Sequence, residues 1–335
     1  MSTGAPVDLS HAAEASLEAG DASERTITAR SPLQLFWRRL RRDKVAMTAL
    51  FFIAFLVLIA LLAPLIVKIA GTPGISVPDR EALDEFGLPS GPTAELFPPK
   101  LGDHPLGVDQ IGRDVFSRTV YGARVSLLVA FVATGLALFI GVTLGLVAGY
   151  FRGWADAILS RVMDVMLAFP VLLLALGLGA ACSLSPCLGG IIQPGLPVVI
   201  FVIALATWPY FARIIRGQVL SLREKEFVEA AKSLGASDFR IIFREILPNL
   251  IAPIIVYTTL LIPTNILFEA ALSFLGVGVQ APTPSWGAMI AEATGIFDTA
   301  WWFMFFPGLA LLFTVLAFNL VGDGLQDALN PRSSK

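Results

Sequence analysis

Six stretches of about 20 largely apolar residues, each long enough to cross a bilayer, punctuate this 335-residue chain. They cover Val45–Val67, Ser126–Tyr150, Leu159–Ala181, Pro197–Ile215, Leu250–Ala271 and Trp301–Val321. Hydrocarbon offers no water to satisfy backbone N–H and C=O groups, so each stretch is predicted to be a membrane-crossing helix. Composition agrees, with 56% hydrophobic and 15% charged residues, against roughly 25% charged in an average soluble domain. The expected fold class is an all-α integral membrane protein with six transmembrane helices. The first stretch follows a polar tail, exceeds the length of a signal-peptide core and lacks a small-residue cleavage site. It therefore reads as an uncleaved anchor.

Lysine and arginine placement sets the expected orientation. Seven precede the first span (Arg25, Arg30, Arg38, Arg39, Arg41, Arg42, Lys44), and seven more lie between Arg213 and Arg244. The opposite connections at 182–196 and 272–300 carry none. The 68–125 segment carries six, but long loops obey the rule weakly. Both termini and the 216–249 connection are thus expected on the cytoplasmic side.

Several function classes are excluded. A net charge of −2 gives no basis for nucleic-acid binding, and two histidines with two cysteines cannot make a Cys/His metal cluster. No titratable residue falls at a span midpoint, where ion-coupled transporters place theirs. A phosphate loop needs a Gly-Lys pair, and the chain contains none. If this protein moves solute, the energy comes from another chain. No nucleophile–base–acid set clusters on any loop, so no catalytic residue is assigned.

Three flanking pieces have their own patterns. In "SPLQLFWRRLRRDK", Leu33, Phe36, Trp37 and Leu40 share one helical face opposite arginines, as in a helix lying among anionic lipid headgroups. "GRDVFSRTVYGAR" sets Phe116, Val120 and Ala123 against Arg113, Arg118 and Arg124, and is expected to lie along the outer surface. The Pro/Gly-rich 71–105 loop is expected to hold one short helix around "DREALDEF".

Within the spans, Pro170, Pro209, Pro263 and Pro307 interrupt four of the last five helices. Broken helices suit a bundle whose members move or line a path, although prolines are also simply commoner in membrane helices. Gly141, Gly145 and Gly149 form a ridge that admits a close neighbour. Arg161 and Asp164, three apart, are expected to pair. Glu269 is either solvated at the outer interface or buried against a cation, and Arg124 is the partner expected in the second case. Cys182 and Cys187 fall on the outer, oxidising side with Pro186 offering a turn, so a disulfide is expected, the alternative being two reduced thiols.

The 216–249 connection reads as two short amphipathic helices. Phe227, Ala230, Ala231 and Leu234 share a face, Gly235 can end the helix in the left-handed conformation, and Ser237 can cap the next. There Phe239, Ile242, Phe243 and Ile246 repeat the spacing, and Pro248 is expected to stop the helix. Two such stripes either fold back on the bundle or meet a partner.

Glu229-Ala230-Ala231, Gly235 and Ile246-Leu247-Pro248 resemble the EAA loop of ABC importer permeases. "HPLGVDQIGRDVFSRTVYGARVSLL", "GWADAILSRVMDVMLAFP" and "EAALSFLGVGVQAPTPSWGAMI" resemble dipeptide/oligopeptide permeases of the DppC/OppC type, and the likeness covers roughly residues 31–330. Three features depart from the pattern: a longer, more acidic 68–105 segment, Glu245 where histidine is common, and the cysteine pair.

The resemblance implies a cytoplasmic tail (1–44), a first helix (45–67), an extracytoplasmic segment (68–125), a five-span core (126–325) with its coupling loop at 222–248, and a short C-terminus (326–335). Phe227, Glu229, Ala230, Ala231, Leu234, Gly235 and Ala236 would contact an ATPase subunit. Implied partners are a homologous second permease, two ATP-binding subunits, an extracytoplasmic substrate-binding protein and membrane lipid. ATP and Mg would be held by the partner subunits, with no cofactor or metal in this chain. The implied cargo is di- or oligopeptide. Nickel, glutathione or a saccharide within the same superfamily are the rivals, and an ion-driven secondary transporter is a more distant one.

Overall fold

The computed structural model describes residues 32–93, 95–96, 99–100, 102–183 and 185–329. The tail before residue 32, including Ser31, which from the sequence could cap the helix at Pro32, and the last six residues lie outside the described residues. Eleven helical segments follow in order: α1 Pro32–Arg42, α2 Lys44–Ala70, α3 Val115–Phe151, α4 Gly153–Ala168, α5 Val171–Ser183, α6 Leu196–Leu222, α7 Glu226–Ser233, the single turn α8 Asp238–Arg240, α9 Leu247–Phe274, α10 Trp286–Ala293 and α11 Trp301–Leu329. A π-helix, Ile241–Ile246, joins α8 to α9. Two-residue strands pair antiparallel in the loop after α2, Glu95 opposite Lys100.

Helices α2, α3, α6, α11 and the run Asp238–Phe274 are long and apolar enough to cross a membrane, and α4 with α5 are so only together, as a pair bent by 88° that has the form of a broken span or a re-entrant loop. The face of the bundle bearing residues 223–246 is called lower here, and the opposite face upper. Helix starts follow local chemistry. Asp43 Oδ1 accepts from the amides of Val45 (2.9 Å) and Ala46 (3.0 Å) at the head of α2. Asp114 Oδ2 accepts from Ser117 N at 2.6 Å at the head of α3. Each satisfies amides that have no partner within the helix.

Helix α3 is central and lies closest to α6. A Cβ added at Gly141 would lie 2.4 Å from Phe211 Cβ, and one at Gly149 2.7 Å from Val219 Cβ. The ridge is therefore the surface through which the two backbones approach. On the other side, Ala49, Ile53, Ala130, Ile266, Ala317 and Phe318 bring α2, α3, α9 and α11 into one core.

Four expectations need correction. The third span is two helices, because Pro170 has no amide hydrogen and forces Phe169 out of helical geometry (φ −78°, ψ 137°). By contrast Pro209, Pro263 and Pro307 sit inside unbroken helices. Asp164 pairs with Arg213 of α6 rather than with Arg161, as Asp156 does with Arg216 (2.9 Å). A salt bridge to a neighbouring helix staples α4 along the bundle, which a pair within α4 would not do.

The "GRDVFSRTVYGAR" segment does not lie along the surface. From Val115 onward it is the first part of the 37-residue α3. Arg118 (1% exposed) and Arg113 (8%) are buried with Asp109 and Glu292. Each arginine bonds both to Asp109, itself buried, and to the partly exposed Glu292, so the arginines turn inward, with only Nε of Arg118 left without a partner among the described residues. Lastly, "DREALDEF" forms turns, not a helix. Asp84 Oδ1 accepts from the amides of Phe86 (2.9 Å) and Leu88 (2.7 Å), and this competes with helical bonding.

Candidate functional site

The lower connection is the largest polar unit of the described core, and its two halves are built differently. Helix α7 ends at Gly235, which has φ +76°. The amide of Ala236 bonds to Ala231 O at 3.0 Å and that of Gly235 to Lys232 O at 2.9 Å. This is a left-handed helix end, where a side chain is strained and glycine is not. Ser237 then occupies the capping position of α8, but its hydroxyl makes no capping bond.

The two apolar stripes are each split. On α7 the inward residues are Val228, fully buried, and Ala231, packed with Ala236 against Tyr150, Val219 and Leu250. Phe227 (39%) and Leu234 (87%) point outward with Ala230. Ala231 sits at the edge of the predicted stripe, and Val228, three residues earlier, shares its other side. In the second half Ile241, Ile242 and Ile246 are buried, while Phe239 and Phe243 are exposed with ring centroids 4.4 Å apart. The π-helix here bonds i to i+5, so a spacing of 3.6 no longer reports one face. Pro248 does not stop the chain either. It stands where the π-helix passes directly into α9, and the helix continues through it.

What remains outside on α7 is Phe227 and Leu234, beside the exposed carboxylates of Glu226 and Glu229, whereas Phe239 and Phe243 line a furrow with Leu138, Phe139, Val142 and Phe151 of α3. Behind α7 lies a set of polar contacts centred on Tyr150. Tyr150, at the lower end of α3, donates its hydroxyl to Asp238 Oδ1 at 2.6 Å. Its carbonyl accepts from Arg223, and its ring lies under the cations of Arg223 (5.8 Å) and Lys232 (6.0 Å). Arg152, two residues on at the break between α3 and α4, pairs with Glu224. Sequence reasoning missed Tyr150 altogether. Its signal is an aromatic hydroxyl at the polar end of an apolar run, the place where an amphipathic ring is stable.

Glu269 and its surroundings form the second polar node, towards the upper face. Its carboxylate is fully buried and accepts from Ser126 Oγ of α3 (2.8 Å) and Ser273 Oγ of its own helix (2.7 Å). Ser273 Oγ in turn accepts from Val279 N at 3.0 Å, and the amide of Trp286, at the start of α10, reaches Ser126 Oγ at 3.4 Å. Arg124 is exposed, and among the described residues no cation pairs with Glu269. The expected Glu269–Arg124 pair is corrected accordingly. Ser126 lies half a helical turn from Arg124, so when one faces the core the other cannot. Ser273, four residues from Glu269, was the readable clue.

The Cys182 and Cys187 sulphurs are bonded, with alpha carbons 5.3 Å apart. Cys187 also bridges to Ile192 through backbone hydrogen bonds, which closes the α5–α6 loop. Above the bundle, His104 lies between two carboxylates, Nδ1 3.1 Å from Asp114 and Nε2 3.2 Å from Asp79. The bond to His104 holds the Asp79 carboxyl below its ordinary range, whereas burial pushes Asp114 up. Trp302 Nε1 donates to Val108 O at 3.1 Å, so this upper segment is tied to α11 as well. Among the described residues no group of His, Cys, Asp and Glu is arranged to hold a metal ion.

Comparison with known proteins follows from this geometry. Residues 141–335 match the family described as binding-protein-dependent transport system inner membrane component. Residues 31–74 match the N-terminal TM domain of oligopeptide transport permease C. The chain is 43% identical over 305 residues to the dipeptide transport system permease protein DppC of Alkalihalophilus pseudofirmus, covering 91% of each chain. It is 40% identical over 304 residues to the glutathione transport system permease protein GsiD of Pectobacterium atrosepticum, covering 90% of this chain and 92% of that one. Among solved structures, the MetNI methionine ABC transporter in an inward-facing conformation superposes with a TM-score of 0.53 at 20% identity, over 64% of this chain and 96% of that one. That likeness is one of fold.

Proposed function

We propose, since this chain belongs to the family of binding-protein-dependent transport system inner membrane components, that it is one of two related permease subunits of an ABC importer for short peptides. It is a non-catalytic membrane subunit, like the permeases it resembles. Hydrolysis belongs to two ATP-binding subunits, which hold ATP and Mg and dock on the lower, cytoplasmic face. An extracytoplasmic binding protein delivers cargo at the upper face, and both termini are cytoplasmic.

The observation that carries this reading is the outward placement of Phe227 and Leu234 on α7, with the turn that follows tied to α3 by the Tyr150–Asp238 bond. Large apolar side chains in water mark a surface that another protein covers. Glu229, Ala230 and Gly235 complete the contact, while Ala231 and Ala236 act from behind it. Closure of the ATPase pair would push on α7 and, through Tyr150 and Arg223, on α3 and α6. The prolines of α6, α9 and α11 and the break at Pro170 are where those helices would flex between inward- and outward-facing states.

Peptide cargo rests on the DppC relative, and the GsiD relatives favour a second reading, glutathione, itself a small peptide. Reconstitution with the cognate subunits in proteoliposomes tests both. ATP-dependent uptake of dipeptides with no uptake of glutathione supports the first, and the reverse supports the second. Leu234→Asp and Glu229→Lys should abolish uptake and release the ATP-binding subunits on purification. Retained, stimulated hydrolysis in both variants would remove this face of α7 from the coupling.

A further inference from the structure

We infer that the furrow between α2 and α11 is a binding site for an anionic phospholipid, one acyl chain lying in the furrow and the phosphate at Lys44. The proposal rests on the membrane placement of the bundle and not on the identity of the cargo. The furrow has a volume of about 430 Å³. It exists because Ala49 and Ala317, 6% and 4% exposed, put only methyl groups on its floor. Leu316 and Leu320 form one wall, and Phe52 meets Phe313 edge to face at its upper end, ring centroids 6.3 Å apart. From Lys44 to Phe52 is roughly 12 Å of helix, at 1.5 Å per residue.

The chemistry selects the occupant. Nearly every lining atom is carbon, and the one hydroxyl, of Thr48, is committed to Lys44 O at 2.8 Å. The furrow therefore offers nothing to a polar ligand and fits an aliphatic chain. Its lower end is cationic. Lys44 is exposed, and among the described residues no carboxylate pairs with it. Arg42 is exposed and Arg41 lies over the Trp37 ring at 4.9 Å, where both can reach a headgroup. Of the three acids at this end, Asp43 turns its carboxylate to the first amides of α2, and Asp323 and Asp327 at the foot of α11 still leave the five cations between Arg38 and Lys44 with an excess of two positive charges.

This basic cluster is fixed relative to the furrow. Leu40, 4% exposed, packs on Ala46 and Ala328, which clamps α1 against the feet of α2 and α11. A cation cluster at the interface attracts a phosphodiester and repels the ammonium of a zwitterionic head, so charge complementarity points to an anionic lipid. A second protein chain seated on this face would have to bury Lys44 and Arg42 against its own acids. We argue for the lipid, and the protein occupant is an outcome of the test.

The purified transporter is titrated with phosphatidylglycerol or phosphatidylcholine, and bound lipid is counted by native mass spectrometry. Wild type should retain phosphatidylglycerol roughly ten-fold better. Combined Arg41→Gln, Arg42→Gln and Lys44→Gln should bring the ratio close to one, and Ala317→Phe should lower retention of both lipids. Equal retention by wild type, or an unchanged ratio in the triple variant, overturns the proposal. A photo-crosslinking side chain in place of Thr48 covers the case in which Ala317→Phe fails to fold. Crosslinks to lipid support the site, and crosslinks to a second polypeptide overturn it.

Discussion

Tyr150 and Asp238 are joined by a hydrogen bond of 2.6 Å across 88 residues of sequence, and the bond ties the lower end of α3 to the turn after Gly235. It connects the exposed face of α7 to the helix at the centre of the bundle. Tyr150→Phe removes the hydroxyl and keeps the ring over which Arg223 and Lys232 sit. A hydrogen bond to a charged group contributes about 1.5–3 kcal/mol. The expected result is intact assembly and basal hydrolysis, with binding-protein-stimulated hydrolysis reduced several-fold. Stimulation equal to wild type would show that force does not pass through this bond.

Gly235 separates strain from clash, because a Cβ added there would meet nothing within 4 Å although φ is +76°. Gly235→Val should therefore cost about 1–2 kcal/mol from backbone strain alone. Gly235→Asn should be milder, as asparagine tolerates this region. Gly235→Pro should be worst, since it also deletes the 2.9 Å bond to Lys232 O. Uptake rates in that order check the reading, and a Pro variant as active as the Asn variant contradicts it.

Glu269 is held by serines. Glu269→Ala leaves the buried hydroxyls of Ser126 and Ser273 without their acceptor, at about 1–3 kcal/mol. The purified complex should unfold at a lower temperature. Arg124→Ala should change nothing, and exchanging the two residues should not rescue Glu269→Arg. Rescue would mean that the two do meet.

The upper segment should respond to acid with a sign set by two aspartates. Asp79 is held below its ordinary value of 3.8 by His104. Its stabilisation is therefore present above that value and lost as pH falls through the lower, folded one. Asp114 is pushed above 3.8 by burial. Its contribution runs the other way, present below 3.8 and lost as pH rises through its raised value. His104→Leu removes the first effect and leaves the second. Hydrogen exchange over residues 79–114 should then show weaker protection near neutrality that improves on acidification, whereas in wild type the Asp79 contribution opposes that gain. Matching pH profiles would rule out the clasp.

Cys182 and Cys187 should resist an impermeant maleimide on intact cells until a reductant is added, given their bond in the structure. Labelling without reductant would mean free thiols. Closing so short a loop constrains the unfolded chain only a little, so Cys182→Ser with Cys187→Ser should cost about 2 kcal/mol or less.

The start of α3 at Asp114 was not legible in the sequence, whereas the apolar runs, the turn at Gly235 and the close approach along Gly141–Gly149 all are. Each depends on residues within a turn or two of one another, and local chemistry suffices there. The lower connection was readable as a unit for the same reason, down to the left-handed glycine. Which of its side chains face outward was not, because a π-helix shifts the register and Val228 finds its pocket on α3, α6 and α9. Pairings between distant segments were hidden too. Asp164 chooses Arg213 over Arg161, Glu269 meets Ser126 across 143 residues, and Arg118 turns inward to Asp109 and Glu292. A buried charge takes whichever partner packing brings to it. Spacing along the chain determines what a segment is, and the tertiary fold decides what it touches.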